Sequence, residues 1–240
     1  MTESLEALVV EERKPRGLEA PGAIVPRDFL YRPILRAIHP FALIVYNFTN
    51  ENAEAIPRKG PVMIFAEHTS GHDIPALLHT INIKRGRNMR TFHKSDYSVN
   101  GLFNKYFFGK VLGLAGYHPV DRRWPESSMN ESAYDYLEDR LIKHGDAFVV
   151  FPRGTRRNGA KLKTGFINTS IDVLERHSEI EIPVLAAYVA HDKSGLKLDN
   201  AHTTISDNIY RKGMDSTGLR DAIDGEFTIM RNKLQTLYLR

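Results

Sequence analysis

The sequence predicts an α/β fold with a mixed central sheet, and three observations carry that expectation. Apolar runs recur at residues 62–66, 147–151 and 182–190, short enough to read as buried strands and bounded by turn residues. Helical patterns alternate with them, as in chains that lay helices on a sheet. The 240 residues are 42% apolar and 26% charged, an ordinary globular balance that can bury one core without staples.

Residues 1–27 mix Glu, Lys and Arg without an apolar h-region, so they do not read as a signal peptide. Pro15, Pro21 and Pro26 interrupt any helix, and the expectation is a mobile tail. Residues 28–60 are expected to form an amphipathic, membrane-associating helical segment. On a helical wheel Leu30, Tyr31, Ile34, Leu35, Ile38, Phe41 and Val45 share one arc, and Arg32, Arg36 and His39 lie opposite. Pro40 implies a kink, and packing of this helix on its own domain is the other reading.

Residues 61–240 are expected to form one α/β domain. A strand over 62–66 leads to a helix over 73–84, opened by Asp73 and Pro75. A second strand follows near 90–93, a helix over 100–111, and a strand before Arg122. The helix over 125–144 is closed by Gly145, and the strand over 147–151 runs into a basic loop. A helix over 165–177 and the long strand over 182–190 come next. Residues 191–216 read as polar and irregular, before a closing helix over 218–240.

Composition removes several function classes. With no cysteine, disulfides, cysteine-built zinc sites and a cysteine nucleophile are excluded. The excess of 33 Lys+Arg over 29 Asp+Glu is a mild bias toward anionic partners. It is no nucleic-acid footprint, because the basic residues are not interleaved with stacking aromatics. No apolar run reaches the length of a spanning helix. The cluster Lys84, Arg85, Arg87, Arg90 and Lys94 fits either anionic headgroups or CoA phosphates, or a solvated helix end.

The chemistry concentrates in the segment from Glu67 to Asp73, between the first buried strand and its helix. In a regular helix His68 and Asp73 would not face one another, but a turn through Ser70 and Gly71 brings carboxylate to imidazole. On spacing alone a capping Asp beside an exposed His fits equally, as does a metal site using His68, His72 and Asp73. Downstream, Arg122, Arg153 and Arg156 sit on loops after strands, where guanidinium forks capture phosphate. Lys163 and Gly165 open a helix whose free amides favour an anion.

Together these segments resemble the glycerolipid acyltransferase family, typified by the 1-acyl-sn-glycerol-3-phosphate enzymes. The His-x4-Asp motif is matched by His68, Ser70 and Asp73, and the Val-Asp-Arg motif by Val120, Asp121 and Arg122 after Gly116. Phe-Pro-Glu-Gly-Thr-Arg is matched by Phe151 to Arg156 except at Arg153; Lys163 with Gly165 and an Ile-Pro-Val at Ile182 complete the order. Three positions depart from the pattern: Arg153 replaces a glutamate, Glu67 an asparagine and Ala186 a proline.

The resemblance implies a glycerolipid-acyltransferase-like α/β sandwich. It implies His68 as general base and Asp73 as its orienting acid, acting on an acceptor hydroxyl that attacks a thioester. Ser70, Arg122, Arg153, Gly154, Thr155, Arg156, Lys163 and Gly165 become substrate-binding candidates, with Arg122 and Arg156 on the acceptor phosphate. No metal or cofactor is implied; acyl-CoA or acyl-carrier protein enters as co-substrate, and a lysophospholipid and membrane lipids are the partners. The expected location is the cytoplasmic face of a membrane, as a peripheral protein. A binding module that keeps the lipid groove but dispenses with His68 is the non-enzymatic alternative.

Overall fold

The computed structural model describes residues 33, 39–40, 42–94, 117–120, 128–154, 160–192 and 199–238. The expected tail over 1–27, the helix over 100–111, and Arg122, Thr155 and Arg156 lie outside the described residues.

Among the described residues, the sheet comprises β1 (Tyr46–Glu51), β2 (Val62–Ala66), β3 (Met89–Lys94), β4 (Tyr117–Val120), β5 (Ala147–Val150), β6 (Val184–Asp192) and β7 (Asp199–Ile205). Their order across it is β1-β7-β6-β2-β5-β3-β4. All neighbours pair in parallel except β6 and β7. The described helices include α1 (Asp73–Leu78), α2 (Ser128–Glu138), α3 (Thr164–Arg176) and α4 (Ser216–Tyr238); π-helical turns extend α1 over His79–Lys84 and α2 over Asp139–Lys143.

The central strands are continuous apolar runs because both faces are covered. Along β2, Met63 and Phe65 join a cluster with Ile167, Ile171, Leu219, Ile223 and Phe227 of α3 and α4. Val62, Ile64 and Ala66 join the opposite cluster with Ala76 and Leu77 of α1. The period-two alternation of a strand thus assigns odd residues of β2 to the α4 side and even ones to the α1 side. Phe65, Phe148 and Phe227 are fully buried, each contributing about 1.5–3 kcal/mol of apolar burial.

Two strands on one side of the sheet depart from the sequence expectation. Tyr46–Glu51, placed in the amphipathic helix over 28–60, is a strand parallel to β7, so the helical segment gives way to the sheet at residue 46. Its inward Tyr46, Phe48 and Asn50 alternate with outward residues, a pattern of period two and not 3.6. Asp199–Ile205, expected to be irregular, is β7, where Ala201, Thr203, Thr204 and Ile205 are buried. Strand β1 at the edge and β7 beside it lack the apolar run that marks the centre of the sheet.

The basic cluster also changes meaning. Arg87 donates to the carbonyls of Pro57, Gly60 and Gly145, and Arg85 to those of Ile56 and Glu54. Arg90 is fully buried with its Nε 2.9 Å from Asp146, which Arg140 also pairs. These arginines tie loops together under the sheet and do not form a solvated cationic patch. Gly145 closes α2 as expected, with φ of 59° where only glycine is unstrained.

Candidate active site

Strands β2, β3, β4, β5 and β6 run parallel, so the loops that follow them emerge at one edge of the sheet. Ligand sites of open α/β sheets collect outside those carboxyl ends. The turn after β2 carries the sharpest sequence motif, and Ser70 shapes it. Asp73 N donates to Ser70 O at 3.4 Å and His72 N to Ser70 Oγ at 3.2 Å, a reversal that starts α1 at Asp73.

The reversal brings the Asp73 carboxylate back over its own loop. Oδ2 accepts from His68 Nδ1 and from the Thr69 and Ser70 amides, each at 2.8 Å. Oδ1 accepts from His191 Nε2 at 2.6 Å and from Thr69 Oγ1 at 3.3 Å. The carboxylate is fully buried, and burial alone would raise its pKa. Hydrogen bonds from His191, His68 and the Ser70 amide outweigh that and hold it below its ordinary value of 3.8. Asp73 is therefore an anion at neutral pH. Because an anion only accepts, Nδ1 of His68 carries the proton and Nε2 is the basic nitrogen.

His191 is the residue that sequence reasoning missed. Strand β6 pairs with β2 only through Ala187, then continues against β7 to Asp192. The overhang carries His191, on the same strand face as Ala187 and Val189, over the start of α1. The signal lay in period two: position 191 follows 187 and 189 onto the α1 side. His72, by contrast, stands edge-on to His191 with ring centroids 6.1 Å apart and edge-on to Tyr46 at 5.5 Å. Among the described residues no group of three His, Asp or Glu side chains is placed to hold a metal ion, so the metal arrangement of His68, His72 and Asp73 is not formed.

The loop after β5 meets the histidine from the other side. Phe151 packs on the His68 ring at a centroid distance of 4.7 Å. Gly154 N donates to Phe151 O at 2.9 Å, closing a turn with Pro152 and Arg153 at its centre and Gly154 at φ of 59°. Arg153 was expected to face the acceptor, but its side chain turns into the protein and is 7% exposed. Its Nε lies 3.0 Å from Glu67 Oε1, its Nη2 lies 2.6 Å from Asp224 Oδ1, and its Nη1 donates to Ala160 O.

The other expected binding residues spread out. Ser70 builds the turn, while Lys163 and Gly165 are exposed at the start of α3. Ala186, where the resembled family often has proline, donates its amide to Ser206 Oγ at 2.7 Å, a bond that proline cannot make.

An imidazole oriented by a buried carboxylate, at the carboxyl edge of a mostly parallel sheet, is a candidate general-base site. The chain belongs to the Acyltransferase family, whose model matches residues 47–189, more than half of it. It is an acyltransferase enzyme, and the family match spans His68, Asp73 and Arg153 alike. Among solved structures its fold is similar to that of the 1-acyl-sn-glycerophosphate (LPA) acyltransferase PlsC from Thermotoga maritima. The two share 18% identity at a TM-score of 0.56, over 88% of this chain and 84% of that one. A comparison with curated proteins finds no match.

Proposed function

We propose that this acyltransferase moves a fatty acyl group from a thioester donor to a hydroxyl of a lysophospholipid-type acceptor, most simply 1-acyl-glycerol-3-phosphate, in phospholipid synthesis. The observation that carries the reading is the 2.8 Å bond from His68 Nδ1 to the buried Asp73. With Nδ1–H so held, Nε2 takes the proton of the acceptor hydroxyl as its oxygen attacks the thioester carbonyl. Asp73 stabilises the imidazolium that forms. Collapse of the tetrahedral intermediate expels the thiolate, which takes that proton, leaving an ester and a free thiol. The hydroxyl attacks directly, so no acyl-enzyme, metal or other cofactor enters the scheme.

Acyl-CoA or acyl-carrier protein serves as donor. Arg122 and Arg156 are assigned to the acceptor phosphate, which planar forks suit; the resemblance supports this assignment. The same resemblance supports peripheral association with the cytoplasmic face of a membrane, where thioester donors are made. No helix among the described residues is long and apolar enough to cross a membrane.

The test is thiol release from a long-chain acyl-CoA, with and without lysophosphatidic acid, for wild type and His68→Ala. Acceptor-dependent release, lost by on the order of 10³-fold in the variant, is the expected result. Release that survives His68→Ala would defeat the mechanism. A wild type silent on a panel of acceptors and on carrier-protein donors would favour a lipid-binding relative.

A further inference from the structure

We propose that Arg153 is a positioning residue and not a ligand of the acceptor: with Glu67 and Arg231 it forms a buried electrostatic clamp that ties the His68 loop to helix α4. The inference deepens the acyltransferase reading and rests on it where turnover is the readout.

Three observations carry it. First, the guanidinium of Arg153 is committed within the chain, to Glu67, Asp224 and the Ala160 carbonyl, and it lies 5.8 Å above the Phe227 ring. Second, Glu67 is 2% exposed and bracketed by two arginines, since Arg231 Nη2 reaches its oxygens at 2.6 and 2.8 Å. That bracket stands immediately before His68, and the Glu67 amide donates to Ala187 O at 3.0 Å, so side chain and backbone are both fixed. The hydrogen bond to Glu67 raises the pKa of Arg231 still further, and burial raises that of the neighbouring Tyr188 phenol. Third, the charges close: two arginines oppose Glu67 and Asp224, so Arg153 adds no net positive charge to draw an anionic acceptor.

The geometry also joins two departures from the resembled pattern into one. Parallel register sets Phe65 of β2 beside Val150 of β5, so the positions just beyond each strand end as neighbours. Period two turns Glu67, like Met63 and Phe65, toward α4. An arginine at 153 without a carboxylate at 67 would keep only one counter-charge, Asp224, whose side chain is 56% exposed. A carboxylate at 67 without Arg153 would keep only Arg231. A buried charge that loses its partner is costly, so the two substitutions belong together.

Such a unit has a signature that an acceptor ligand lacks. Glu67→Gln, Arg153→Gln and the double variant are compared by kcat, by acceptor KM and by thermal midpoint. Each single change is expected to lower kcat about tenfold with acceptor KM within about threefold. In the double variant the loss is expected to match the worse single and not the product, with midpoints coupled in the same sense. Arg153→Lys, which keeps the charge but not the fork, should recover part of kcat. A tenfold rise in acceptor KM with kcat intact in Arg153→Gln would make Arg153 an acceptor ligand and overturn the proposal, as would additive losses. If wild type turned over no substrate, the acyltransferase reading would fall by itself. Midpoints would then decide the clamp, additive shifts overturning it and coupled shifts supporting it.

Discussion

The sheet edge holds buried charge on both faces, and the two sides handle it differently. On the α1 side a single carboxylate, Asp73, is held by two backbone amides and by two imidazoles, and the imidazoles can hold or release a proton. On the α4 side Glu67 is surrounded by guanidiniums, which do not release theirs. Residues 67 and 68 are adjacent in sequence and face opposite ways, so one turn of chain serves both the proposed reactive site and the proposed clamp. Chemistry is proposed where the counter-charge is titratable, and rigidity where it is permanent.

The sharpest way to break that contrast is Asp73→Asn. The amide keeps the shape but removes the anion and permits the wrong imidazole tautomer, so kcat should fall on the order of 10³-fold while the protein stays folded. Thiol release and circular dichroism together check it; a loss below about tenfold would remove the α1 side as the seat of chemistry.

Next in size is a pH effect confined to the same side. His79, on the turn that continues α1, stacks on Phe48 at 4.6 Å and on His39 at 5.2 Å. Burial, with the charges of His39 and Lys84, lowers its pKa from 6.5 to about 4. The unfolded chain therefore binds this proton first as pH falls. Stability is full above pH 6.5 and declines toward pH 4, by on the order of 3 kcal/mol at the acid end. His79→Phe should flatten that decline in melts at pH 7.5 and 4.5. An unchanged slope would place the acid sensitivity elsewhere.

A smaller effect separates the two histidines on Asp73. His191→Gln removes the 2.6 Å ring donor from Oδ1, the strongest of the influences that lower the Asp73 pKa, while the Thr69 and Ser70 amides remain. The variant should lose about tenfold in kcat/KM, far less than loss of the base. Its carboxyl should titrate higher, which NMR titration of the Asp73 side chain checks. An unchanged carboxyl titration with unchanged kcat/KM would make His191 a packing residue only.

Much of this was legible in residues. The buried strands announce themselves by unbroken apolar runs, and the His68–Asp73 turn by its glycine and serine. Other parts depend on pairing that no local window contains. Strand β1 was masked by an apolar arc before it that fits a helix, and β7 by threonines and a histidine whose burial comes from neighbouring strands and α1. His191 reaches Asp73 because one strand outruns its neighbour by several residues. Arg153 and Glu67 were each visible as a departure, 86 positions apart; only parallel register makes them one feature.

The span between the clamp's ends bears on how the molecule is made. Glu67 and Arg231 are separated by 164 positions, and Asp73 and His191 by 118. At about 5–20 residues per second, a ribosome delivers the first partner of each pair many seconds before the second. Throughout that interval the nascent chain has its histidine but neither the second imidazole nor the helix that fixes its loop. The contacts that hold the His68 loop are therefore complete only once residues 184–238 are present.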